Sequence, residues 1–393
     1  MLLVMLRRDA PPSVGPDDAA RVTARSRMRW AGLLIVLGLG LVAGLSVDRH
    51  LRAAGALLRF GEGDAAAEER GWLASYRADQ VQVEESVVAG RPLRSYRPTR
   101  KPSGQLVLAH GMHPLGYDEP RLVALARALS AAGLVVHTPD QPRLKALSLD
   151  PRTASELSET MRALMARERT GALGVMAISF AGGLALRAAS ADQGAFAFVV
   201  PVGAHHDLAR VVRWFAGEPA QGPDGQTVTH EPHPYGVGLL VHADPARFFP
   251  AAEADVAGEA LDLALHDHWR EANERAAALS PDARAVLQEA RAPSRPTSLA
   301  PGLLSLLSDR RATFDAASPA GRLRGLRVPV MVLHGAEDPI VPPTESLHLA
   351  AELPAGTRLL VSAALRHAET AETSLREQLA LVHFIAAVLE AAE

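Results

Sequence analysis

Residues 174–183 read GVMAISFAGG, an apolar run that ends in one serine and is followed closely by two glycines. A short continuous apolar run of this kind is typical of a buried strand in a parallel sheet. Ser179 follows the run directly, and the small residues Ala177 and Ala181 lie two positions before and after it. A strand that turns sharply into a helix needs small residues at those two positions. The stretch therefore predicts a strand, a tight turn at Ser179 and a helix; the alternative is a serine that only packs a corner.

Short apolar segments alternate with amphipathic ones on both sides of this stretch. An antiparallel hairpin is predicted at 81–98, where apolar and polar residues alternate around Ala89 and Gly90. The further predicted strands are 105–109, 134–140, 174–178, 195–202, 328–335 and 357–362. The predicted helices are 119–132, one that begins at Asp150 or Ser155, 181–190, 344–352 and a last one with Leu375, Leu379, Val382 and Leu389 on one face. This alternation predicts an α/β fold with a mostly parallel sheet and helices on both faces.

The alternation stops between about 205 and 326, where helical stretches such as 256–278 occur and no strand pair is expected. An insertion of this size in a βα pattern is more often a functional lid than a loop, so we expect a helical cap. Its aromatic residues are suited either to lining an acyl pocket or to packing the cap, and the sequence leaves both open: Trp214, Phe215, Tyr235, Phe248 and Phe249.

Histidines in the same insertion raise the question of a metal site. The candidate ligands are His205, His206, His230, Glu231 and His233. Pro232 and Pro234 break any helix that would align these side chains on one face, so this is no H-E-x-x-H site. We expect neither a metal nor a cofactor.

Residues 30–47, WAGLLIVLGLGLVAGLSV, contain no charged side chain. As a helix, a segment of this length just spans the core of a bilayer. Arginines are in excess before it, which predicts a cytoplasmic N terminus and an extracytoplasmic remainder, periplasmic in a Gram-negative cell. A cleaved signal peptide is the alternative. The predicted organisation is a basic cytoplasmic segment, a transmembrane anchor, a helical connector and a globular domain: 1–29, 30–47, 48–80 and 81–393.

Composition excludes several classes of protein. The chain of 393 residues has no cysteine, which excludes disulfides, thiolate metal sites and a cysteine nucleophile. Its net charge is −3 and its basic residues are spread along the sequence, which argues against a nucleic-acid partner. The hydrophobic fraction of 48% excludes a disordered chain.

The stretch around Ser179 resembles the nucleophile elbow of the α/β-hydrolase superfamily, with alanine at both flanking positions where the G-x-S-x-G motif has glycine. Residues 81–393 resemble that superfamily in the order of their elements. The family's catalytic triad runs serine, acid, histidine along the chain. The resemblance therefore implies Ser179 as the nucleophile, Asp338 in HGAEDPIVP as the acid and His367 in ALRHAE as the base.

Other residues compete for two of these roles. Glu337 is adjacent to Asp338, and Asp207 is a rival because some members of the family carry the acid after the preceding strand. His348 and His383 compete with His367, but both fall within predicted helices that face away from the crevice.

The resemblance also implies how the site would work. A serine hydroxyl needs an imidazole to take its proton, and the imidazole needs a carboxylate to orient it. The family's oxyanion hole implies the backbone amides of Phe180 and, in LAHGMHP, of Met112, with His110 holding that loop by hydrogen bonds. The expected activity is hydrolysis of a small-molecule carboxylic ester through an acyl-enzyme. The alternatives are a peptidase or thioesterase on the same triad, or a non-catalytic scaffold.

Overall fold

The computed structural model describes residues 44–61, 71–228, 230–292, 297–366, 369–370 and 374–393, with only the backbone described at 366, 369 and 370. The chain divides into two compact units, residues 1–49 and residues 50–393. Of the first unit, residues 44–49 are described, and they are helical.

A sheet of eight strands forms the centre of the second unit, in the order β1-β2-β4-β3-β5-β6-β9-β10. Its strands are β1 (Val81–Val88), β2 (Arg91–Pro98), β3 (Gly104–Ala109), β4 (Leu134–Pro139), β5 (Leu173–Ile178), β6 (Phe196–Val202), β9 (Met331–Gly335) and β10 (Arg358–Ser362). β1 and β2 form the predicted hairpin, which turns at Ala89 and Gly90, both with positive φ. β2 is antiparallel to β4, and the remaining neighbours are parallel. The predicted, mostly parallel sheet is confirmed.

Helices cover both faces of the sheet. They are α1 (50–61), α2 (Trp72–Ser75), α3 (Pro120–Ala131), α4 (Pro142–Lys145), α5 (Arg152–Glu168), α6 (Phe180–Ala191), α7 (Leu208–Phe215), α8 (Pro234–His242), α9 (Ala254–Leu265), α10 (Trp269–Ala276), α11 (Pro281–Ala290), α12 (Ala300–Asp309), α13 (Arg311–Ala317), α14 (Thr344–Glu352) and α15 (Leu375–Ala392). Alternate residues of β3 show the two faces: Val107 packs with α5 and α6, whereas Leu106 and Leu108 pack with α1, α3 and α15.

The predicted apolar face of the last helix is wrong in part. Leu375 and Leu379 are 70% and 58% exposed, whereas Phe384, Ile385 and Val388 are buried against the sheet. The helix carries apolar residues on more than one face, so its periodicity did not decide which face the sheet would cover.

The segment between β6 and β9, residues 203–330, contains helices α7 to α13, and it is called the inserted segment below. The expectation that it holds no strand pair is wrong. A short hairpin is formed by β7 (Ala220–Gln221) and β8 (Thr227–Val228). Asp224 and Gly225 make its turn, with Gly225 at φ +82°, a conformation that glycine adopts at no steric cost.

Two carboxylates of α14 hold both ends of the inserted segment. Glu345, 1% exposed, accepts hydrogen bonds of 2.8 and 2.7 Å from the backbone amides of His206 and Asp207. Glu352 accepts hydrogen bonds of 2.9 and 2.8 Å from the amides of Gly321 and Leu323. Burial alone would raise the pKa of Glu352, but these amide bonds and the His206 ring lower it below its ordinary value.

The predicted transmembrane anchor at 30–47 lies outside the described residues except for its last four positions. No helix among the described residues is long and apolar enough to cross a bilayer. The anchor therefore stays a prediction. Within the predicted connector, α1 buries Ala53 and Ala56 in the same apolar cluster as α3 and α15.

Candidate active site

Ser179 forms a sharp corner between β5 and α6. Its backbone has φ 56° and ψ −129°, a region that residues other than glycine rarely adopt. The Ser179 amide donates a 2.7 Å hydrogen bond to the carbonyl of Val202, on the neighbouring strand β6. A backbone of this kind costs on the order of 1–3 kcal/mol and persists only where the surroundings enforce it. The predicted strand, turn and helix are present, with the serine at the apex.

The two glycines after the serine are required by close packing. A Cβ at Gly182 would lie 2.6 Å from the Cβ of Ala204, and one at Gly183 would overlap the ring of His205. Ala177 and Ala181 are completely buried on either side of the turn. The first turn of α6 is thus pressed against the loop that follows β6, and only small residues fit there.

A loop after β3 packs directly on the serine. A Cβ built at Gly111 would lie only 3.1 Å from the Cβ of Ser179, so a side chain at position 111 would crowd the serine. His110 is buried and holds this loop: its Nε2 accepts a 2.9 Å hydrogen bond from the Gln141 amide, and its Nδ1 lies 2.7 Å from the Gly111 carbonyl oxygen. These are the loop-holding hydrogen bonds predicted for His110.

Tyr235 of α8 fixes the other end of the same loop. Its hydroxyl donates a 3.1 Å hydrogen bond to the carbonyl of Met112. Burial raises the pKa of Tyr235, so the phenol stays protonated and remains a donor at neutral pH. The sequence suggested only an acyl-pocket or packing role for this residue, and no signal in it indicated the contact with Met112.

Ser179, Phe180 and Met112 line one cavity of about 1120 Å³. Most of its lining is aliphatic or aromatic, from the sheet, from α3 and from the inserted segment. Of the five aromatic residues considered above, Phe215 and Tyr235 reach the lining. Trp214 and Phe249 are buried in the packing instead, and Phe248 packs against Gly302.

Asp338 follows β9 and is completely buried. Its Oδ1 accepts hydrogen bonds of 2.8 and 3.0 Å from the amides of Ile340 and Val341, and its Oδ2 lies 3.5 Å from Nε2 of His334. Two amide donors suit an ionised carboxylate, since hydrogen bonds to a charged acceptor are the stronger kind. The loop therefore holds Asp338 in one orientation.

His367, the predicted base, lies outside the described residues. The triad as a set therefore stays a prediction, and the structure describes the positions of its serine and its acid. The residues that compete with Asp338 and His367 for the roles of acid and base have contacts of their own. Asp207 caps α7 by accepting from the Ala209 amide at 2.8 Å, while Glu337 is exposed at the cavity. The rival histidines sit on helices: His348 lies 2.9 Å from the Gln221 carbonyl oxygen, and His383 lies 3.0 Å from His50.

The histidines considered as metal ligands make separate contacts. His205 is buried and stacks on the ring of Phe180, with ring centroids 5.0 Å apart. Burial lowers the pKa of His205 to about 4, so its ring is neutral. His206 contacts Glu352 at 2.6 Å, His230 lies 2.8 Å from the Asp338 carbonyl oxygen, and His233 caps α8. The sequence analysis did not predict that His205 packs against Phe180 and Gly183, in the first turn of α6.

A model of the alpha/beta hydrolase family matches residues 106–372, which is more than half of the chain. The chain therefore belongs to the alpha/beta hydrolase family. No curated protein matches it.

Several solved structures are similar to this chain at low sequence identity. One is a meta-cleavage product hydrolase from Pseudomonas fluorescens IP01, with 17% identity, 78% of this chain and 98% of that chain covered, and a TM-score of 0.42. Another is a 2-hydroxy-6-oxo-6-phenylhexa-2,4-dienoate hydrolase from Rhodococcus sp. strain RHA1, with 18% identity, 72% and 91% covered, and a TM-score of 0.40. A serine hydrolase from Cycloclasticus zankles has 14% identity, 73% and 90% covered, and a TM-score of 0.40.

The strained turn at position 179 generates a stability prediction. Ser179→Gly is expected to exceed Ser179→Ala in free energy of unfolding by about 1 kcal/mol, because alanine keeps the strain and glycine relieves it. Urea unfolding of both variants measures the difference. The same pair at Ser158, within α5, should show the opposite order, since glycine weakens a helix interior. Equal stabilities at position 179 would contradict a left-handed backbone there.

Proposed function

We propose that this protein is a serine hydrolase that cleaves a carboxylic ester through a Ser179–His367–Asp338 triad. The observation that carries the proposal is the backbone conformation of Ser179. This non-glycine residue has φ 56° at the corner between β5 and α6, and it lines a large cavity. Backbone strain of this kind is concentrated at functional sites, and a strained turn here would expose the serine hydroxyl to a ligand in the cavity.

The proposed reaction has two halves. The Ser179 oxygen attacks the ester carbonyl carbon while His367 takes the hydroxyl proton, and the tetrahedral intermediate then expels the alcohol, which receives that proton. A water molecule attacks the acyl-enzyme with His367 again as base, and the carboxylic acid leaves as Ser179 regains its proton. Asp338 would orient His367 and stabilise its positive charge.

The amides of Phe180 and Met112 are the proposed oxyanion hole. Phe180 is the first residue of α6, so its N–H has no partner within the helix. Met112 belongs to the loop that packs on Ser179 and is tied down by His110 and Tyr235. Donors fixed in advance cost no reorganisation when charge develops on the substrate oxygen.

The lining of the cavity favours an ester with a sizeable apolar part. Leu208, Val211 and Phe215 of α7 and Leu239 of α8 face the same space as Ser179. In this proposal the inserted segment, predicted as a cap at about 205–326, covers the site and excludes water from it. Thioesters and amides are the alternative substrates on the same residues.

Fluorophosphonate labelling tests the nucleophile. The full-length protein is expected to be labelled covalently, and Ser179→Ala is expected to lose the label because only an activated serine reacts with such probes. Ser158→Ala, which changes a serine of α5 away from the cavity, should label like the wild type. A folded wild type that takes up no label would instead favour the non-catalytic scaffold.

Substitution of the acid tests the rest of the triad. Asp338→Asn keeps an Oδ1 acceptor for the amides of Ile340 and Val341 but loses the charge, and kcat for an ester is expected to fall about 10⁴-fold. Steady-state hydrolysis of a p-nitrophenyl ester measures the change. Glu337→Gln and Asp207→Asn are the matched controls and should change kcat little. A larger loss in either control would move the acid to that residue.

We also propose that residues 30–47 anchor the domain to a membrane with the N terminus in the cytoplasm. The uncharged length of the segment and the arginines before it support this. An alkaline phosphatase reporter fused after residue 60 is expected to be active, because it folds only on the outer side. An active cytoplasmic reporter at the same position would reverse the orientation.

A further inference from the structure

An arginine in the cavity lining has no acidic partner within the part of the chain that the structure describes. Arg291 is the C-cap of α11 and lines the same cavity as Ser179. Two of its five N–H groups donate to Oδ1 of Asn273, each at 3.2 Å. The other three have no acceptor among the described residues, and no carboxylate of those residues forms an ion pair with this side chain.

The position of the guanidinium is nevertheless fixed. Its central carbon lies 4.8 Å from the centroid of the Trp269 ring, and the Asn273 amide holds its edge. Stacking on an aromatic ring and a hydrogen bond at one edge leave the remaining edge of the planar fork available for a ligand. Burial lowers the pKa of Arg291 from its ordinary value, but a guanidinium stays charged at neutral pH.

Two other charged groups of the lining, Arg121 and Asp267, differ from Arg291. Arg121 is paired with Glu119 at 2.7 Å, so its charge is already balanced. Asp267 accepts a 3.3 Å hydrogen bond from the indole N–H of Trp269, and it forms no ion pair with Arg291 among the described residues. A negative charge at Asp267 disfavours a dianion, such as a phosphate, more than it disfavours a carboxylate.

A purely structural role explains only part of this arrangement. A cation at the C terminus of α11 interacts favourably with the helix dipole, and the bond to Asn273 links α11 to α10. Neither contact requires the guanidinium to line the cavity or to keep three donors that no described residue accepts.

We infer that Arg291 binds a carboxylate of the substrate, so that the ester cleaved at Ser179 carries a free carboxylate at a distance from the scissile bond. This inference rests on the proposed esterase function. The substrate class is then a monoester of a dicarboxylic acid, or an ester of similar shape, whose apolar chain lies between Ser179 and Arg291. The carboxylate accepts two N–H groups of the fork in a bidentate pair.

Two esters of equal chain length test the inference. They are p-nitrophenyl octanoate and the mono-p-nitrophenyl ester of octanedioic acid, which differ in a terminal carboxylate. Arg291→Met in the full-length protein is expected to lower kcat/KM for the carboxylate ester about tenfold to a hundredfold, mainly through KM, the range expected for a hydrogen bond to a charged group. The octanoate ester should be unaffected.

Two further variants separate recognition from stability. Arg291→Lys keeps the charge but not the planar fork, so it should recover part of the loss. Arg284→Met removes a guanidinium from the same helix, where it donates to backbone carbonyls of Ala277 and Leu279 outside the lining, and it should leave the ratio of the two esters unchanged. Equal losses on both esters in Arg291→Met, or no loss on either, would overturn the inference.

A binding measurement keeps this inference separate from the proposed chemistry. Calorimetric titration of Ser179→Ala with monomethyl octanedioate and with methyl octanoate needs no turnover. Adding Arg291→Met should raise Kd about tenfold to a hundredfold for the carboxylate ligand alone. Tight, Arg291-dependent binding without hydrolysis by the wild type would reject the esterase and keep the carboxylate site. Equal binding of both ligands, or binding of neither, would reject the site.

Discussion

The tight packing around Ser179 is the constraint on which the rest of the structure depends. A non-glycine residue stays at positive φ only if its neighbours leave no other conformation open. Here the backbone is held by a hydrogen bond to β6, and it is enclosed by Gly111 on one side and by Gly182 and Gly183 on the other. The β6 hydrogen bond and Gly111 come from other parts of the chain, so the conformation of this corner depends on the neighbouring strand and on the loop after β3.

The position of the inserted segment likewise depends on contacts between distant parts of the chain. Glu345 and Glu352 lie at opposite ends of α14. They accept hydrogen bonds from backbone amides at the beginning and at the end of that segment, respectively. Since α14 follows the loop of Asp338, the segment is fastened to the element next to the proposed acid. Removing a carboxylate that accepts hydrogen bonds from two amides would leave both amides without an acceptor, which costs stability. Such contacts therefore hold the two ends of the segment in place.

The sequence predicted the elements of the sheet and the corner at Ser179 because both depend on local patterns: apolar runs, helical periodicity and small residues at fixed spacing. It did not predict the buried face of α15, where apolar residues surround much of the helix and only the tertiary fit decides. It also contained no sign of the contact between Tyr235 and Met112, or of the stacking of Arg291 on Trp269. Those pairs join residues far apart in sequence, and no local pattern encodes them.

The cavity has two parts of different origin. One part of the lining is built from the strand ends and the first turn of α6, where close packing leaves little freedom to change a residue. Another part comes from helices of the inserted segment, including the N terminus of α10, where Trp269 lies, and the C terminus of α11. Substitutions in this second part are expected to cost less stability, because half-exposed positions such as Trp269 tolerate replacement better than a buried corner. A protein built in this way can change which ligand it accepts by altering the inserted segment while the corner at Ser179 stays the same.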